Sequence, residues 1–221
     1  MFMSNRKFEA IVRPGSEAVE AYRALLFNLQ WINQGSRPKT IMITSALPNE
    51  GKTTTLANLA VTCARSGIKT VAVDFNLRNP RLHQVFGTDH ADGVRICLHA
   101  PENWENAVRP TRYSDLSVIT AGRATNRAAE ELALAQVDKL LSMLKSAYDA
   151  VLVDTPAATS VDPLYLAPYC DVSLLVIQAG KTKRSAVQKT HDRLKLAGAH
   201  RIGAVLNRIP GRKEVMVGGT G

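Results

Sequence analysis

The sequence predicts an α/β fold, a three-layer, doubly wound, mostly parallel sheet of the phosphate-loop kind. Three observations carry this. Short apolar runs alternate with stretches of helical period, the signature of parallel strands joined by crossover helices. Two runs, Val71-Ala-Val-Asp74 and Val151-Leu-Val-Asp154, close on a carboxylate. A third leads through a Pro- and Gly-bearing loop into Gly51-Lys52-Thr53-Thr54 and then into a helical pattern.

Taken in order, Val19, Tyr22, Leu25, Leu26 and Leu29 recur at three- and four-residue spacing after Ser16, which predicts an amphipathic helix capped by that serine. Residues 39–45 read as a buried strand, 53–65 as a helix and 69–74 as a second buried strand. Residues 75–115, rich in Pro, Asp, Asn and His, read as an excursion on the active face holding two short helices. A strand over 116–120, a long helix over 128–147, a strand over 150–154 and a helix over 161–167 follow. Strand 172–177, helix 183–197 and strand 201–206 complete the pattern. The division is an amino-terminal segment, 1–38, a nucleotide-binding domain, 39–209, and a short mobile tail, 210–221, ending in Gly-Gly-Thr-Gly.

At 221 residues and 45% hydrophobic, the chain can bury one sizeable core without staples. Three widely spaced cysteines, Cys63, Cys97 and Cys170, with no CxxC pair, exclude a disulfide framework and a zinc site, and read as small buried apolar groups. No apolar run is long enough to span a bilayer and the start lacks a signal-peptide core, so the expectation is a cytoplasmic protein. The net charge of +9 is lopsided: residues 181–221 hold ten basic residues against Asp192 and Glu214.

The chemistry concentrates in Ala46-Leu47-Pro48-Asn49-Glu50-Gly51-Lys52-Thr53-Thr54. Between a strand and a helix, such a loop cradles phosphate oxygens with its main-chain N–H groups. A lysine at this place neutralises the β- and γ-phosphates, and the following hydroxyl reaches Mg²⁺. The loop needs acidic partners for its metal, and an open sheet presents them at the carboxyl ends of neighbouring strands, where Asp74 and Asp154 stand.

The series Thr44-Ser-Ala-Leu-Pro-Asn-Glu-Gly-Lys-Thr-Thr, then Val73-Asp74-Phe-Asn76-Leu-Arg78-Asn-Pro80, then Tyr148-Asp-Ala-Val-Leu-Val-Asp154-Thr-Pro resembles the bacterial tyrosine kinases of capsule and exopolysaccharide assembly, within the phosphate-loop ATPase superfamily. The likeness runs from about residue 16 to residue 209. It implies transfer of the γ-phosphoryl group of ATP to tyrosine hydroxyls, with Mg²⁺ as cofactor. Pro48, Asn49, Glu50, Gly51, Lys52, Thr53 and Thr54 would hold the nucleotide, and Thr53, Asp74 and Asp154 the metal. Lys52, Asp74, Arg78 and Asp154 would do the chemistry, Arg78 by stabilising charge near the transferred group and Asp74 as base or metal-organising acid. Asn207 stands where related ATPases read adenine. The implied partners are the cytoplasmic segment of a membrane polysaccharide copolymerase, protein tyrosine substrates and further copies of the chain through the helix Glu20-Ala-Tyr22-Arg23. Recruitment to the inner face of the membrane by that copolymerase goes with them.

The chain departs from that pattern in four places. Asn76 replaces a second aspartate and can neither accept a proton nor lend charge to a metal. Leu26 stands where the helix motif has a second arginine. Arg-Ala-Thr-Asn-Arg follows Gly122 in place of a proline-rich stretch. All five tyrosines precede residue 170, so no tyrosine cluster ends the chain. Two rivals therefore stay open. One is a partition or positioning ATPase binding DNA or membrane, whose mark would be a lysine where this chain has Leu47; the basic carboxyl-terminal helix otherwise reads as a solvated face, which argues against nucleic acid. The other is a non-catalytic ATP-binding regulator of the copolymerase.

Overall fold

The computed structural model describes residues 16–89, 93–133, 136–209 and 216–219. Helix α1 (Glu17–Ile32) precedes β1 (Thr40–Ser45), and α2 (Lys52–Arg65) leads to β2 (Thr70–Asp74). Three short helices follow, α3 (Leu82–Phe86), α4 (Val94–His99) and α5 (Trp104–Ala107), then β3 (Val108–Pro110) and β4 (Leu116–Ile119). Helices α6 (Ala128–Ala133) and α7 (Val137–Ala147) lead to β5 (Ala150–Asp154), α8 (Asp162–Leu166) and β6 (Val172–Gln178). Helix α9 (Arg184–Leu196), β7 (Ile202–Asn207) and β8 (Met216–Gly219) close the chain.

The eight strands form one sheet in the order β3-β4-β2-β5-β1-β6-β7-β8. Every pairing is parallel except those of the two edge strands, β3 on β4 and β8 on β7. Central strands are buried on both faces, so their residues divide by parity. Ile41 and Ile43 join Leu25, Leu29, Leu56 and Leu59 under α1 and α2, whereas Met42, Val71, Val73, Val151 and Val153 face Leu140, Leu141, Leu144 and Leu194 on the other side. The three cysteines are free and buried.

Helix α1 behaves as its periodicity predicts. Ser16 caps it, accepting the Val19 N–H on its hydroxyl, and Tyr22, Leu25 and Leu29 are buried against α2 and β1. Its last turn reaches the start of β7, where the Ile32 side chain lies against Gly203. The helix expected over 128–147 is two helices: the Gln136 N–H donates to the Leu98 carbonyl at 3.2 Å, which draws the chain out of the helical path before Val137. Strand β3 was not foreseen. Its Val-Arg-Pro is too short for a period, and Pro110 is tolerated because the strand is an edge. The mobile tail expected over 210–221 is corrected for Met216–Gly219, which pair antiparallel with β7 and cover main-chain groups that an edge strand would leave open.

Leu25 is fully buried. Leu25→Ala is expected to lower unfolding free energy by about 3 kcal/mol in urea titration, because the cavity it leaves lies in the core shared by α1, α2 and β1.

Candidate functional site: a phosphate loop beside two buried carboxylates

The site lies at the carboxyl ends of β1, β2, β5, β6 and β7, where the chain turns to opposite sides of β1. Two residues of the loop after β1 have positive φ, Asn49 at 64° and Gly51 at 99°. Gly51 is required twice over. Its left-handed backbone opens α2, and a Cβ there would overlap the Asn207 side-chain amide. No side chain of Gly51 can cap α2 and no acid stands in its first turn. The N–H groups of Lys52, Thr53 and Thr54 therefore have no intrahelical partners and point where an anion is best received.

Glu50 turns inward from this loop. Its carboxylate accepts the Leu47 N–H at 2.8 Å and the Thr182 hydroxyl, while its carbonyl accepts the Asn207 amide at 2.9 Å. The Gln178 N–H donates to the Thr182 hydroxyl at 3.1 Å, Arg208 donates to the Gln178 side-chain oxygen at 3.2 Å, and the Arg208 N–H donates to Asn207 Oδ1 at 2.9 Å. The bonds close a ring that ties the phosphate loop to the ends of β6 and β7. Asn207, expected at adenine, is thus held against the loop backbone. Leu47 is exposed at the rim, at the place where the rival ATPases would need lysine.

Asp74 and Asp154 sit in register on neighbouring strands, both fully buried. Asp74 Oδ1 accepts the Asn76 N–H, and its Oδ2 accepts the N–H groups of Arg81 and Leu82, all at 3.0 Å. Asp154 Oδ2 accepts the Thr53 hydroxyl at 2.7 Å, and its Oδ1 has no partner among the described residues. Burial raises the Asp74 carboxyl to about 6 against the pull of its three amides. Burial, and then the charge of Asp74, raise Asp154 to about 8 against the pull of Thr53 and Lys52. Lys52 is itself buried, which lowers its pKa, while Asp154 and Glu50 oppose the fall. A carboxylate pair with one orphaned oxygen, a hydroxyl and an ammonium is a donor set that suits a divalent cation and a polyanion together.

The structure thus brings Lys52, Thr53, Asp74 and Asp154 into one cluster, with the remaining loop residues and Asn207 around it. The contacts of Arg78 are with residues outside that cluster. Its guanidinium binds Asp162 through Nε at 3.0 Å and the Asn126 carbonyl through Nη1 at 3.3 Å. Asp162, fully buried at the start of α8, is the residue that sequence reasoning missed. Its only local signal, an aspartate before proline, reads as a helix start. Asn76 closes a turn, its Oδ1 accepting the Asn79 N–H at 3.3 Å.

Residues 39–195 match the family model described as an AAA domain. Over 203 residues the chain is 34% identical to the tyrosine-protein kinase YwqD of Bacillus subtilis, spanning 91% of this chain and 86% of that one. The chain belongs to the bacterial tyrosine-protein kinase family. It is also 31% identical to the putative tyrosine-protein kinase CapB of Staphylococcus aureus, over 90% of this chain and 87% of the relative. The kinase domain of Escherichia coli ETK superposes with a TM-score of 0.86 at 30% identity, covering 93% of this chain and 81% of that one. The family resemblance read from the motifs and the phosphate-loop fold are therefore both borne out.

Because the Asp154 carboxyl titrates at about 8 against an ordinary 3.8, the folded chain binds this proton more tightly than the unfolded chain. That contribution to stability is complete below about pH 4 and is lost as pH rises through about 8. In chelator, the melting temperature of the native chain is expected to fall between about pH 4 and pH 8. Asp154→Asn should keep only the part of that fall that belongs to Asp74, below about pH 6, and melt higher than the native chain at the alkaline end.

Proposed function

We propose that this chain transfers the γ-phosphoryl group of ATP to tyrosine hydroxyls, with Mg²⁺ held by Thr53, Asp74 and Asp154. The single observation that carries the reading is the orphaned Asp154 oxygen beside the Thr53 hydroxyl and the uncapped start of α2. When bound, the metal neutralises charge on the phosphates and on the two carboxylates that burial otherwise protonates. The chain's own part is positioning. The α2 amides and Lys52 hold the phosphates, and the ring through Glu50, Thr182 and Asn207 keeps the loop open. Asp74, oriented by three main-chain amides, would use Oδ1 either to steady the metal or, with the metal on Thr53 and Asp154, to take the tyrosine proton. Arg78 acts by fixing the loop around Asn126 to the start of α8.

The acceptor is set by exposure. Burial pushes the Tyr22 hydroxyl up to about 12 against the opposing hydrogen bonds with Thr55 and Asn58, and Tyr148 is buried too. Tyr165 and Tyr169 are exposed at 43% and 39%, so they are the sites at which one copy would phosphorylate another. A cavity of about 480 Å³ lined by Arg95, Ile96, His99 and Arg123 opens beside the 121–127 segment and suits the polypeptide that carries an acceptor. Among the described residues no helix is long and apolar enough to cross a membrane. The reading places the chain beside a polysaccharide copolymerase, in contact with that protein's cytoplasmic segment.

Incubation with Mg-ATP and that segment, followed by phosphotyrosine mapping, is expected to place phosphate on Tyr165, Tyr169 or the partner. Lys52→Met should lower the yield at least about a hundredfold. Nucleotide binding without phosphotyrosine anywhere would instead assign a non-catalytic regulator.

Asn76, whose main-chain N–H donates to Asp74, stands where the resembled motif has a second aspartate. Asn76→Asp keeps the acceptor for the Asn79 N–H and adds charge, so turnover is expected to rise several-fold. An unchanged single-turnover rate would show that Asn76 does not limit the chemistry.

A further inference from the structure

The edge of the sheet opposite the nucleotide site carries the molecule's unassigned charge. At that edge the residues preceding the parallel strands alternate in sign across the sheet: Asp115, Lys69, Asp149, Lys39, Asp171 and Arg201, in the order β4-β2-β5-β1-β6-β7. Two of the acids are turned into the edge by main-chain amides. Asp171 accepts the N–H groups of Lys39 and Thr40 at 2.8 and 2.9 Å, and Asp149 accepts the Lys69 N–H at 3.1 Å. Lys39 and Lys69 stay exposed, and the helix ends and loops of the same edge add the exposed cations Arg37, Arg65, Arg112 and Lys195 against one further acid, Asp192, which lies beside Lys195. Gly35, Gly67 and Gly198 turn the chain sharply at this edge with φ of 85°, 71° and 88°.

Two large apolar side chains flank these cations. Trp31, 70% exposed, ends α1 on one side of the sheet, and Leu196, 88% exposed, ends α9 on the other. They belong to opposite layers, so they form no shared groove into which a peptide helix fits. A planar apolar–polar boundary meets both at once. Tryptophan at such a boundary is favoured by its amphipathic ring, and clustered Lys and Arg next to it are drawn to anionic headgroups. Duplex DNA would use the cations and gain nothing from Trp31 or Leu196.

We propose that this amino-terminal edge of the sheet docks on an anionic lipid bilayer. The phosphate loop, Asp74 and Asp154 then point away from the membrane toward protein substrates. The proposal does not depend on phosphoryl transfer, since it concerns the opposite edge and is read without nucleotide.

The full chain is expected to co-sediment with phosphatidylcholine vesicles containing phosphatidylglycerol and not with phosphatidylcholine alone, with binding weakening as salt rises. Arg37→Glu combined with Lys39→Glu and Lys195→Glu should weaken it about a hundredfold, whereas Lys181→Glu with Lys183→Glu and Arg184→Glu, at the other end of α9, should not. With Trp104→Phe, the emission of Trp31 should shift to the blue on adding the anionic vesicles, a readout that does not require the charge-reversed chain to fold. Absence of vesicle binding, equal loss from both triple variants, or an unmoved Trp31 spectrum would each overturn the proposal. So would binding of polyglutamate or duplex DNA through these cations without vesicle binding.

Discussion

Asp74 and Asp154 end adjacent parallel strands side by side, out of water, and the rest of the site is arranged around the cost of that placement. Two carboxylates in such a position cannot both ionise without help. Three main-chain amides support Asp74, a hydroxyl and a lysine support Asp154, and one oxygen of Asp154 is left over. Burial therefore favours a proton on this pair, the charge balance that a bound cation would supply instead. The strain of an incompletely paired acid is what makes the site receptive, and it is tolerable because the strands on either side are buried on both faces and cannot relax.

The phosphate loop is the second half of that arrangement, and its rigidity is borrowed. A loop carrying two left-handed residues would have many alternatives if its side chains faced solvent. Glu50 removes them by bonding inward, to its own loop and to Thr182, and Asn207 clamps the same residue from β7. Through Gln178 and Arg208 the clamp reaches two strands that share no residue with the nucleotide motif. This ring links the loop to the ends of β6 and β7, because neither can shift far without breaking hydrogen bonds of the ring.

The two edges of the sheet divide the work. Helix starts and acidic strand ends gather at the carboxyl edge, which receives an anion and its metal, while helix ends and cations gather at the amino edge. The lopsided charge evident in residues 181–221 is only part of the second group: Arg37, Lys39, Arg65 and Lys69 come from the first third of the chain and join it by topology. A parallel sheet with short return turns produces this segregation wherever strands begin on charged residues.

Much of this was legible in the sequence because it is local. Apolar runs bounded by turn residues marked the central strands, the period around Leu25 marked α1, and Gly51-Lys52-Thr53 between strand and helix marked the phosphate loop, so fold, family and the main site residues could be read before any coordinate. What was not legible depends on contacts between residues distant in the chain. The break before Val137 is made by a hydrogen bond to Leu98, the edge strands β3 and β8 exist only because β4 and β7 offer them open main-chain groups, and Arg78 finds its partner in Asp162, eighty-four positions further on. Asn207 and Glu50 were placed near nucleotide by motif, but their mutual bond is set by the packing of β7 beside β6. Local pattern determined which residues carry the chemistry; tertiary structure decided which of them touch, since burial and long-range hydrogen bonding have no period along the chain.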